Sequence, residues 1–193
     1  MIKKLTLLIA LVAIVVAGAN AQVEIKALVG TNFSGMPGHS FDNFKGSAGY
    51  QFGGGVLIGN KFYVEPSLQI GKMTSTISDQ TTSLDDFEMK QSFVRIPVYA
   101  GYHLLGAEDQ MLALRVFAGP AITIPGKLDN ELSIVEKDNM NKSLWGVDAG
   151  VGLDIFFLFV ELNYEHSFTD RFIDGAEGKH NSVYINAGVH IDF

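Results

Sequence analysis

The chain has 193 residues, with 14 Lys and Arg against 21 Asp and Glu, and no cysteine. Its formal charge of −7 argues against a nucleic-acid partner, which asks for a basic surface. Without thiols there are no disulfide staples, no cysteine metal site and no lipid attached at a leader cysteine.

The first residues, "MIKKLTLLIALVAIVVAGANAQ", place Lys3 and Lys4 before an apolar run from Leu5 to Ala17 and end on Ala19-Asn20-Ala21. This is the pattern of a secretory signal with an A-x-A site, with cleavage expected between Ala21 and Gln22. The run is short for a spanning helix, which argues against a retained anchor. Removing residues 1–21 takes away two lysines and no acid, leaving 172 residues at a net charge of −9. That length suits one domain, expected over 22–193.

Beyond Gln22 no amphipathic helical pattern stands out. Eight alternating segments follow instead, near 23–33, 47–58, 61–73, 87–104, 111–124, 143–155, 157–167 and 182–193. Gly-, Asn-, Asp- and Ser-rich breaks separate them. Long polar loops (34–46, 74–86, 125–142 and 168–181) follow the odd-numbered segments. Short connections follow the even ones: "GN" at 59–60, "GAEDQ" at 106–110 and almost nothing near Phe156. Outer membrane barrels sort their connections this way, with short periplasmic turns and longer extracellular loops.

One parity of every segment is apolar, from Val23, Ile25 and Ala27 in the first to Val189, Ile191 and Phe193 in the last. These 46 positions carry no charge in a chain that is 18% charged. The other parity carries Glu24, Lys26, Gln51, Glu65, Gln69, Arg95, Arg115, Asp148, Asp154, Glu161, Asn163, Glu165, Asn186, His190 and Asp192. Periodicity alone does not tell a membrane barrel from a soluble one with the greasy parity inside. Aromatic placement does. Phe33, Tyr50, Trp145 and Tyr164 fall near the long-loop end of the apolar parity, and Phe62, Tyr102 and Phe193 near the short-turn end. Two belts of rings flanking aliphatic middles are what bilayer interfaces select. Lipid offers the backbone no hydrogen-bond partner, so strands can span it only as a closed barrel. The expected fold is therefore all-β: an eight-stranded antiparallel up-and-down transmembrane barrel in the outer membrane.

An eight-stranded barrel is just wide enough for its own side chains, which disfavours a continuous water pore. Buried charges must then pair. Arg95 and Arg115, with Lys26, Glu24, Glu65, Asp148 and Glu161, read as an interior charge network. His39, His103, His166, His180 and His190 show no i,i+2 or i,i+4 spacing among themselves and read as rim or loop residues. "GVDAGVG" (146–152) resembles a phosphate loop only superficially: no helix pattern and no Gly-Lys-Ser/Thr follows. Glycines in a strand more often serve bending and close packing. No nucleophile elbow occurs, so no enzyme and no cofactor is expected. Pro97 and Pro120 fall mid-strand, where each removes a ladder donor, and a bulge at either would slip the parity by one residue.

Several stretches resemble the PorT-like outer membrane β-barrel family of Bacteroidetes: "FVRIPVYAGYHL" (93–104), "RVFAGPAITI" (115–124), "WGVDAGVGLDIFFLFVELNYEHSFTDRF" (145–172) and the terminal "VYINAGVHIDF". The resemblance implies an eight-stranded outer membrane protein, in a few members tied to assembly of a protein-secretion apparatus, with no catalytic motif to transfer. The terminal "HIDF" resembles the aromatic-ended signal read by barrel-insertion machinery, which would give Phe193 that role.

The expected function is structural, adhesive or interactive, through the four long loops toward an unidentified protein or surface partner. Met36, Phe41, Phe44, Phe172 and Ile173 are loop residues suited to contact or to loop packing. A periplasmic lipocalin-like carrier with its apolar parity inside, and a narrow channel, are the alternatives from other classes.

Overall fold

Alternation in sequence becomes strand along the whole described chain. The computed structural model describes residues 22–35, 48–77, 87–106, 111–129, 143–170 and 179–193. In chain order the strands are β1 (Val23–Gly35), β2 (Ala48–Gly59), β3 (Phe62–Ile77), β4 (Phe87–Leu105), β5 (Leu112–Asp129), β6 (Leu144–Ile155), β7 (Leu158–Asp170) and β8 (Lys179–Asp192). Each pairs antiparallel with its sequence neighbours, and β8 returns to β1 to close the barrel. Residues 1–21, most of the four long loops, and with them Ala21, Met36, Phe41, Phe44, Phe172 and Ile173, lie outside the described residues.

The pairing register sets the barrel's dimensions. From Phe33 on β1 the row of partners runs through Val183, Tyr164, Ala149, Ala118, Ala100, Val64 and Ile58, and returns to β1 at Val23. The circuit closes ten residues below its start, which is the shear of the barrel. With eight strands about 4.8 Å apart and a rise of about 3.3 Å per residue, this shear gives a tilt of about 40° and a backbone radius of about 8 Å. Inward side chains from opposite walls therefore meet in the middle.

They are polar. Lys26, Gln51, Glu65, Gln69, Arg95, Arg115, Asp148, Asp154, Glu161, Asn163, Glu165 and Asn186 are buried within the barrel. Ile25, Val29, Leu68, Val98, Val151, Leu162 and Val189 point out and are exposed. This orientation overturns the carrier alternative, which needs the apolar parity inside. Such an outer surface is stable only against lipid.

The prolines leave that parity intact. Pro97 points inward and Pro120 outward, each in the alternation of its strand. The ladder itself is interrupted beside them: β3–β4 pairing skips from Pro66/Val98 to Gln69/Arg95, and β4–β5 from Pro97/Ala121 to Ala100/Ala118. Each proline costs local ladder bonds without changing register. The register shifts lie nearer the strand ends instead, between Gln91 and Phe93, between His103 and Leu105, and between His166 and Asp170.

The strands also outrun their sequence-based limits at the long-loop end. β3 continues to Ile77, β5 to Asp129 and β7 to Asp170, while β8 starts at Lys179. Pairs such as Ile77 with Phe87 and Lys90 with Asp129 carry the ladder on. These extensions lack the apolar alternation that marks a strand in sequence, although the backbone still pairs.

Tyr50, Phe62, Trp145 and Tyr164 project from the outer surface, and Phe33 and Tyr102 are partly covered. The Phe62 and Tyr102 rings lie 4.6 Å apart, with Lys61 Nζ 5.5 Å from the Tyr102 ring centre. Phe156 and Phe157, which form the β6–β7 turn, are exposed beside the short-turn belt, and Phe156 adopts a left-handed φ of 55°.

Val151, midway along β6 on the outer face, gives a direct test of this orientation. Val151→Arg is expected to cost about 2–4 kcal/mol of stability, as charges on a lipid-facing midplane do. Urea unfolding of the barrel in lipid vesicles, followed by the fluorescence of the single Trp145, measures it.

Candidate functional site

Inside the barrel the charged side chains form two clusters. Nearer the short-turn end, Lys26 Nζ lies 2.8 Å from Glu65 Oε1 and also pairs with Glu161. Arg115 bonds Glu161 Oε1 through Nη2 at 2.8 Å, Asp154 Oδ2 through Nε at 2.9 Å and Glu65 Oε2 through Nη1 at 3.3 Å. The five groups come from β1, β3, β5, β6 and β7, so the cluster spans the lumen rather than following one wall.

The second cluster centres on Arg95 of β4. Its Nε donates to Glu165 Oε2 at 2.7 Å, its Nη2 pairs with Asp148, and its Nη1 donates to Gln69 Oε1 at 2.8 Å. Tyr99 Oη donates to Asp148 Oδ2 at 2.9 Å and accepts from Asn163 Nδ2 at 3.1 Å. Aromatic rings cover the cations. Lys26 Nζ lies 4.3 Å from the Phe159 ring centre, and the Arg95 guanidinium carbon 4.2 Å from that of Tyr184. Leu57, Tyr63, Tyr99 and Phe117 pack together inside the barrel as a buried cluster. Beyond Arg95, Gln51 joins Asn32 at 3.3 Å and Asn186 at 2.6 Å.

Arg95, Arg115, Asp148 and Asn186 are 0% exposed, so these levels of the lumen are sealed from water. Among the described ion pairs, each cluster carries one carboxylate more than its cations: Glu65, Asp154 and Glu161 against Lys26 and Arg115, and Asp148 and Glu165 against Arg95.

Six of the seven charged residues singled out from sequence thus meet in the lumen, divided between two clusters. Glu24 joins neither; it sits at the short-turn mouth beside His190 and Asp192. Asp154 and Glu165 are full members that sequence reasoning passed over, although both lie on the same inward parity. The "GVDAGVG" segment is part of β6, and its inward glycines make room for neighbours. A Cβ on Gly150 would come within 2.7 Å of the Phe117 ring, and one on Gly152 within 2.9 Å of Arg115 Nε. Phe193 is exposed at the mouth, its N–H donating to Val23 O at 2.9 Å.

A closed eight-stranded barrel with a lipid-facing apolar exterior and a charged, packed interior defines a small integral outer membrane protein. The family model described as "Outer membrane protein beta-barrel domain" matches residues 18–172, and the chain belongs to that family. No curated protein matches the sequence. Among solved structures, Ail of Yersinia pestis in complex with the heparin analogue sucrose octasulfate is similar at 11% identity, over 90% of this chain and 100% of that chain, with a TM-score of 0.46. OprG of Pseudomonas aeruginosa is similar at 11% identity, over 90% and 95% of the two chains, with a TM-score of 0.48. The N-terminal β-barrel domain of OprF from the same organism is similar at 16% identity, over 88% and 97%, with a TM-score of 0.42.

Removing one partner from a buried charge cluster leaves the others uncompensated. Arg95→Met is expected to cost about 3–5 kcal/mol, with most of that loss recovered when Asp148→Asn and Glu165→Gln are added. Urea midpoints of the single and triple variants in detergent micelles check both halves.

Proposed function

We propose that this chain is a PorT-like barrel of a Bacteroidetes outer membrane, exported by its leader 1–21, that works as a non-catalytic, non-conducting scaffold. Its long loops are then the working surface, held outside the cell toward a protein or surface partner, in adhesion or in support of a secretion apparatus. The single observation carrying this reading is the sealed lumen. Among the described residues, two cross-barrel charge clusters and the packed side chains of Leu57, Tyr63, Tyr99 and Phe117 fill the lumen, which speaks against a route for a solute. A barrel without a path through it acts through what it displays. Ile96-Pro97, Ala118-Gly119-Pro120 and Gly150-Val151-Gly152 support the PorT-like assignment. The aromatic belts of Phe33, Tyr50, Trp145 and Tyr164 at one end and Phe62 and Tyr102 at the other would fix its depth in the bilayer.

Two measurements test the reading. Purified barrel added to planar bilayers is expected to give no conductance, and stable single-channel steps would overturn the scaffold role. Because the native chain has no cysteine, single cysteines placed within 36–47 or 130–142 provide clean labels. On intact cells they are expected to react with a membrane-impermeant maleimide and to crosslink to a second protein. Labelling only after the outer membrane is breached would put the loops on the wrong side.

A further inference from the structure

The short-turn mouth of the barrel holds a group of side chains that the scaffold role does not use. Glu24 on β1 and Asp192 on β8 are direct cross-strand partners at the seam where the barrel closes. Two carboxylates placed opposite each other repel unless a positive charge, an imidazolium or a bound cation, stands between them. Lys26, the next inward residue of β1 and the partner of His190, does not serve: its Nζ is turned into the lumen onto Glu65 and Glu161. Arg115 is likewise committed to Glu65, Asp154 and Glu161.

His190 stands between the two carboxylates. Its side chain is only 10% exposed, yet both ring nitrogens are buried without a hydrogen bond. Nδ1 lies 3.2 Å from Glu24 Oε1 and 3.6 Å from Asp192 Oδ1, within ion-pair reach of both. Those separations have a physical meaning. Zinc holds imidazole nitrogen and carboxylate oxygen at about 2.0–2.2 Å, so two ligand atoms on a tetrahedral zinc stand about 3.4 Å apart. One donor atom from each of Glu24, His190 and Asp192 falls within 4.8 Å of the others. The cavity they line also takes in Asn60, whose Oδ1 is buried and unpartnered, and His103, whose Nδ1 contacts Asn60 O at 2.8 Å.

We propose that Glu24, His190 and Asp192 form a divalent-cation site of the zinc type at the short-turn mouth of the barrel. One ligand comes from the first strand and two from the last, with an open position facing the cavity. An imidazole with two carboxylates is a donor set that suits zinc. The bound ion would neutralise the facing carboxylates and tie β1 to β8 at the seam. The site is independent of the loops and of the scaffold reading, so either can fail alone.

The test uses the full-length, untagged barrel purified in detergent and stripped of metal with a chelator, titrated with Zn2+ by calorimetry. Binding of one Zn2+ per barrel is expected, together with a higher temperature for loss of the fast-migrating unboiled band on gels. His190→Ala and Asp192→Asn should each lose more than the roughly 10–100-fold in affinity that removal of an outer-shell partner costs, while His103→Ala stays within that range. Unboiled gel mobility shows whether each variant is folded, and the exposed Asp192 position carries the test if His190→Ala does not fold. No Zn2+ binding by the folded native barrel, or binding that Asp192→Asn leaves unchanged, would overturn the site.

Discussion

Everything in this molecule follows from a solvent that cannot hydrogen-bond. A lipid-facing strand must find partners for all its backbone groups in other strands, and the last strand must find the first. Closure with eight strands and a shear of ten leaves an interior only as wide as two facing side chains. The polar parity is thereby forced into a narrow, nearly dry space, where charge survives only in company. Lys26, Arg95 and Arg115 each answer to at least two carboxylates for this reason, and Phe159 and Tyr184 lie against the cations.

The exterior of the barrel was nearly all legible in the sequence. A period of two repeated eight times, with loop length alternating between the ends, specifies strand number and which residues meet lipid. The aromatic rings of Tyr50, Trp145 and Tyr164 supply the direction. What failed to read was where the strands stop. Segments such as 74–77 and 125–129 are paired but lack the apolar alternation of the strands they extend, so nothing in their hydropathy distinguishes them from loop. Pro97 and Pro120 were ambiguous because their effect falls on ladder bonds, which the pattern of side chains does not record.

The interior was legible as composition but not as a set of pairs. Parity says that Arg95 faces inward; it does not say that Arg95 meets Asp148 and Glu165 rather than Glu65. That choice depends on the tilt, and the tilt on the accumulated register of eight pairings. Glu24 illustrates the same point. It shares the parity of Lys26 two residues on, yet one step along a tilted strand carries it out of the lumen to the mouth, beside residues at the other end of the sequence. Spacing among histidines could not reveal that neighbourhood, because His190 approaches a glutamate 166 positions away only once the seam is closed.

The cross-lumen wiring also bears on how such a barrel changes over evolutionary time. Lys26 and Arg115 share both Glu65 and Glu161, and these four groups sit on four different strands. A charge exchanged on one strand unsettles three others at once, so lumen residues are expected to turn over in concert and seldom. Among the described residues, the ion pairs of Lys26, Arg95 and Arg115 run from strand to strand. Lineages can then rewrite the outer segments freely while inheriting the inner ones as a block.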